Sequence, residues 1–89
     1  MSDGVVTAEY LRTVNLEKPR WGKRGYHEKA VGDFLALCAR RLEGRGRLSA
    51  DDVRNVRFNK PPLGKRGVDE DQVDALLAEI AGAIAELDG

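Results

Sequence analysis

When Lys18-Pro19 is laid on Lys60-Pro61, two stretches of the chain fall into register 42 residues apart and stay there without a gap. Thr7-Ala8-Glu9 falls on Ser49-Ala50-Asp51, Arg12 on Arg54, Val14 on Val56 and Leu16 on Phe58. Gly22-Lys23-Arg24-Gly25 falls on Gly64-Lys65-Arg66-Gly67, and Glu28, Val31 and Leu35 fall on Glu70, Val73 and Leu77. About a dozen identities in thirty aligned positions put an internal repeat beyond chance. The expected organisation is two copies of one unit, residues 1–47 and 48–89. A chain of 89 residues buries only about 60 to 65% of its unfolded surface, so the copies are expected to form one folded body.

Each copy opens with a hydroxyl residue, Thr7 or Ser49, followed by a small residue and an acid, the pattern of a helix N-cap with negative charge in the first turn. The spacing predicts short helices over Ala8–Val14 and Ala50–Val56, with Leu11 and Val14 on one face of the first and Val53 and Val56 on one face of the second. Isolated helices shorter than about 12 residues are marginal in water, so both stubs must lie on something. Pro19 in one copy and Pro61-Pro62 in the other then stop the helix, and two glycines flanking Lys-Arg permit a tight turn.

A longer helix begins after each loop. In the second copy Asp69 is the expected N-cap with Gln72 at the capping-box position, and Val73, Leu76, Leu77, Ile80, Ile84 and Leu87 form an apolar stripe. In the first copy the stripe is Val31, Phe34, Leu35, Cys38 and Leu42, ended by Gly44-Arg45-Gly46-Arg47, the one linker. The fold class that follows is all-α: two tandem helix-loop-helix repeats packed as a small helical bundle. A short coiled-coil-like pairing of the long helices is expected to use Val31, Leu35, Cys38 and Leu42 on one and Val73, Leu77, Ile80 and Ile84 on the other.

Composition fits that reading, with 42% hydrophobic residues, few aromatics and 34% charged. Net charge is zero, but residues 1–47 carry an excess of four cations and residues 48–89 an excess of four anions. Opposite signs favour packing of the copies on each other, within one chain or between chains, unless the split is unselected surface drift. Cys38 is the single cysteine, which excludes an intrachain disulfide and reads as a buried inert thiol or, less simply, a dimer-interface thiol. No apolar run approaches the roughly 20 residues of a membrane span, and Met1-Ser-Asp-Gly4 lacks the features of a signal peptide. The expected location is cytoplasmic.

Catalytic, metal and cofactor sites are not expected. Gly64-Lys65-Arg66 lacks the frame of a phosphate-binding P-loop, and His27 has no Cys or His at ligand spacing and reads as a surface or capping residue. Asp69-Glu70-Asp71 sits where acids favour a helix N-terminus and lacks calcium-loop spacing, and no nucleophile-base pair is evident. Arg40, Arg41, Arg45 and Arg47 form the one basic cluster that nucleic acid would use, but the acidic second half speaks against that partner.

The run from Leu48 through Phe58-Asn-Lys-Pro-Pro-Leu-Gly-Lys-Arg-Gly-Val-Asp-Glu-Asp-Gln-Val-Asp74 closely resembles the N-terminal domain of DivIVA proteins, and the first copy resembles the same pattern more loosely. In that family the domain is a parallel dimer whose long helices form a coiled coil, whose short helices pack along it and whose loops cross at a lipid-touching tip. The resemblance implies a non-enzymatic module recruited to the inner face of the membrane at septa or poles, with other division or polarity proteins as partners. Carried over by position, the membrane tips are Trp21 and Leu63, and the headgroup contacts are Lys23, Arg24, Lys65 and Arg66.

The match has departures. Family members usually carry one such domain followed by a long coiled coil, whereas here two copies stand in tandem; without such a coiled coil, recruitment is expected more than scaffold assembly. His27-Glu28-Lys29-Ala30 replaces an acidic run, and Val68 replaces an aromatic that is present in the first copy as Tyr26. The tandem copies are expected to replace the two chains of the family dimer; a swapped homodimer is the other arrangement.

Elementary energetics allow such loops to hold an anionic membrane. An inserted Leu or Trp gains about 2 kcal/mol and each nearby cation about 1 kcal/mol, so one loop reaches on the order of 5 kcal/mol, close to millimolar affinity. Two loops side by side sum toward micromolar, and the indole of Trp21 suits the interfacial layer. Two alternatives remain at this level: Trp21 and Leu63 fold back onto the bundle, or the module is a soluble protein-interaction adaptor without lipid contact.

Overall fold

The computed structural model describes residues 6–89. The reading of Met1 to Gly4 as lacking a signal peptide lies outside the described residues. Four helices follow one another: α1 (Ala8–Thr13), α2 (Glu28–Leu42), α3 (Ala50–Asn55) and α4 (Glu70–Asp88), and the described residues contain no strand. None of these helices is long and apolar enough to cross a membrane.

Local chemistry sets the boundaries. Thr7 caps α1 by accepting from the Tyr10 N–H at 3.1 Å. Ser49 caps α3 in a full capping box, with the Asp52 N–H donating to Ser49 and the Ser49 N–H to the Asp52 carboxylate, each at 3.0 Å. Both stubs stop one residue earlier than their apolar pattern predicts, because Val14 and Val56 turn extended to lead into the loops. His27 caps α2 through Nδ1, which accepts from the Ala30 N–H at 3.2 Å. At the far end of α2 Gly44 adopts a positive φ of 85°, and the Arg45 and Gly44 N–H groups return to the carbonyls of Arg40 and Arg41, a Schellman ending.

α2 and α4 start side by side at the loops and run in the same direction, their far ends joined by an ion pair between Arg41 and Asp88. α1 lies on α2 and α3 on α4. The interior is closed by Val31, Leu35, Cys38 and Ala39 from α2 and by Val73, Leu76, Leu77, Ile80, Ala81 and Ile84 from α4. Leu11 and Val53 anchor the stubs to this core, each burial contributing about 2 kcal/mol. That contribution lets six-residue helices persist where isolated ones would fray.

Two expectations about the long helices are corrected. Leu42 and Phe34 are half-buried and pack against the core, but Leu87 is exposed on the last turn of α4, next to the Arg41–Asp88 pair. Gln72 does not close a capping box: Asp69 accepts from the Gln72 N–H at 2.9 Å, but the Gln72 side chain instead accepts from the N–H of Glu17, in the other copy's loop, at 2.7 Å. The Asp69 N–H is already committed to the Glu17 carbonyl at 2.8 Å, so no donor is left for the box. The charge asymmetry has a limited structural counterpart. Of the ion pairs among the described residues, only Arg20–Asp71 and Arg41–Asp88 join the two halves.

Candidate functional site

The two Lys-Pro-containing loops lie against each other at the end where α2 and α4 begin. Within each, a four-residue turn carries the apolar residue at its second position. The Lys23 N–H donates to the Arg20 carbonyl and the Lys65 N–H to the Pro62 carbonyl, both at 3.0 Å. Gly22 and Gly64 occupy the third positions with φ of 84° and 80°, the left-handed conformation that a type II turn requires there. Trp21 and Leu63 are thereby held at the turn apices. Trp21 is 96% exposed and Leu63 90%, so neither folds back onto the bundle.

The contacts that cross between the loops recur in pairs 42 residues apart. The His27 N–H donates to the Asn59 carbonyl at 3.0 Å, and the Asp69 N–H donates to the Glu17 carbonyl at 2.8 Å. The Arg24 guanidinium donates to the Pro61 carbonyl, and the Arg66 guanidinium to the Pro19 carbonyl. At the centre Tyr26 and Val68 exchange both backbone hydrogen bonds, at 3.0 and 2.9 Å, in a single antiparallel bridge.

Two glycines make the close approach possible. A Cβ on Gly67 would stand 1.8 Å from the Tyr26 carbonyl oxygen, and one on Gly25 would stand 2.3 Å from that of Val68. No side chain fits there.

Charge at this end is unevenly committed. Lys18 faces Glu28 at 4.0 Å, Lys60 faces Glu70 at 3.3 Å and Arg20 faces Asp71 at 3.7 Å. Lys23 and Lys65 are exposed and have no acidic partner among the described residues. The expected headgroup set thus divides in two: both lysines project free beside the apices, while both arginines are tied to the opposite loop. Lysine and arginine read alike in a linear basic motif, and only the crossing separates them.

Beneath the crossing the two halves differ. The Tyr26 hydroxyl donates to Asp74 at 2.8 Å, and its ring packs on Phe58 with centroids 5.4 Å apart, Phe58 in turn meeting Phe34 at 5.8 Å. Burial first, and the bond to Asp74 second, push the Tyr26 hydroxyl up to about 12. The matching positions hold Val68 and Gly32. Each set lines an open groove of about 450 Å³ between a short helix and its long one, so the grooves match in size and differ in polarity.

The remaining candidates are structural. His27 is a helix cap, and burial raises the Cys38 thiol to about 12. Among the described residues no group of three metal-ligating side chains gathers. In the basic cluster Arg41 pairs with Asp88 and Arg45 with Glu43. Glu43 also takes two bonds from Arg12, at 2.6 and 2.9 Å, and these guanidinium bonds, Arg12's foremost, lower its carboxyl to about 2.

Comparison of the chain with protein-family models, curated proteins and solved structures returns no match.

Proposed function

We propose that the chain is a non-enzymatic, single-chain counterpart of the DivIVA N-terminal dimer, its tandem copies standing for the two subunits and pairing α2 with α4 as a short parallel coiled coil. In this reading it is a peripheral protein of the inner face of the cell membrane, recruited to septum or pole as an accessory of division or polar growth. The observation that carries the reading is the near-complete exposure of Trp21 and Leu63 on turns of two loops that are bonded together.

A solvent-exposed indole and isobutyl group, each beside an uncommitted lysine, have no packing role in the bundle. Inserting both gains about 4 kcal/mol, and the two lysines add about 2 kcal/mol at an anionic surface. That total corresponds to tens of micromolar before orientation costs. The exposure of both apices at one end also favours a membrane over a soluble adaptor, for which a helix face or groove would be the expected contact.

Co-sedimentation with phosphatidylglycerol-containing vesicles tests this. The native chain is expected to pellet with anionic vesicles and not with neutral ones, and Trp21→Ser with Leu63→Ser is expected to abolish pelleting while leaving helicity intact. Unchanged pelleting of the double variant would remove the tips from the account.

A further inference from the structure

The family resemblance casts Arg24 and Arg66 as headgroup contacts, and the geometry assigns them another task. We propose that the two arginines form a reciprocal clasp that sets the spacing of the two apices, and that Lys23 and Lys65 are the cations that meet the anionic surface. The second half of this proposal rests on the membrane reading; the first does not.

The arrangement is mutual. Arg24 reaches out of the first loop to the Pro61 carbonyl of the second, and Arg66 reaches out of the second loop to the Pro19 carbonyl of the first. Arg66 also donates to the Arg20 carbonyl at 3.2 Å, next to Trp21. Pro19 and Pro61 are themselves buried in the crossing, so their carbonyls depend on partners from the protein. A guanidinium supplies charge-assisted N–H donors to such carbonyls and has no acceptor to satisfy in return. Each arginine thus ties the base of one turn to the other loop, within two residues of the opposite apex.

Residue spacing explains why Lys and Arg take different tasks. Lys23 and Lys65 close the turns through their backbone N–H and leave their side chains free, whereas Arg24 and Arg66 come one residue later, beside the close-approach glycines Gly25 and Gly67. Arg24 and Arg66 are exposed but each commits its Nη2 to the opposite loop, which fixes its position, whereas the side chains of Lys23 and Lys65 are free to follow a headgroup. Two tips bind a surface together only while their spacing is held, so the clasp acts on lipid affinity through geometry and not through its own charge.

Substituting Arg24→Lys with Arg66→Lys separates these roles, since net charge is kept but the lysine nitrogen stops a bond short of the terminal guanidinium nitrogen. Spin labels on Trp21→Cys and Leu63→Cys report the spacing, with Cys38 buried and unlabelled. A narrow distance distribution is expected with both arginines present and a broadened one with both replaced. With native tips, the Arg→Lys pair is expected to lose about tenfold in affinity for phosphatidylglycerol vesicles, and Lys23→Gln with Lys65→Gln to lose about thirtyfold while leaving the label distances narrow.

Circular dichroism checks that the helices persist, and the single Arg24→Lys variant serves if the pair does not fold. An unchanged distance distribution would overturn the clasp. A broadened distribution with unchanged vesicle affinity would overturn its link to lipid binding. Failure of the native chain to bind vesicles would overturn the membrane reading alone, because the label distances still decide the clasp.

Discussion

Gly67 and Gly22 occupy the same pair of loops for opposite reasons. At Gly67 the constraint is space, because any Cβ would overlap the Tyr26 carbonyl, whereas at Gly22 the surroundings are open and the constraint is the positive φ alone. Gly67→Ala is therefore expected to cost about 3 kcal/mol or more by forcing the crossed loops apart, and Gly22→Ala about 1 kcal/mol of backbone strain. Urea unfolding midpoints measure the difference, and equal effects would show that the loops do not cross this closely. The repeated glycines were legible in the linear sequence, and Cys38 and His27 were each legible to within two readings, whereas the exposure of Trp21 and Leu63 was not, since folding back onto the bundle fitted the same residues. The division between Lys23 and Arg24 was not, since both are cations in the same motif and only contacts across 37 and 47 residues separate them. The role of Gln72 escaped for the same reason. Its spacing from Asp69 fits a local box, and the competing bond to Glu17 comes from 55 residues away.

At the level of elements, the apolar pattern located the two short helices to within one residue, the difference falling at Val14 and Val56, where an apolar residue doubles as a cap. It overextended the apolar stripe of α4, because a linear pattern does not show which of its positions a neighbour covers. Leu87 continues the spacing but is 57% exposed on the last turn, while Ile80 is fully enclosed at the position matching Cys38. Ile80→Ala is expected to destabilise the fold by about 2 to 5 kcal/mol, and Leu87→Ala to change stability by less than about 0.5 kcal/mol. Thermal or urea denaturation distinguishes them. Comparable losses would mean that α4 is covered along its whole length, as in a dimer that buries the end of the helix.

For the whole molecule, the consequence of crossing the two loops within one chain is that a body of 42 × 28 × 20 Å closes without a second copy. Both loops find their hydrogen-bond partners in the same chain, and both stubs lie on a long helix. The expected species in solution is a monomer of 9.8 kDa at all dilutions by light scattering. A dilution-dependent mass near twice that value would indicate exchange of copies between chains. The choice between monomer and swapped dimer lay outside the sequence, because the same contacts satisfy either connection through the Gly44–Arg47 linker. The pairing of the apices is the property on which the proposed function depends, and Trp21, the single tryptophan of the chain, reports it without a label. Titrating the native protein with phosphatidylglycerol vesicles is predicted to shift its emission to shorter wavelength as the indole leaves water, with a weaker shift when Leu63 is replaced by Ser. Emission that stays at the wavelength of a water-exposed indole throughout the titration would contradict the account.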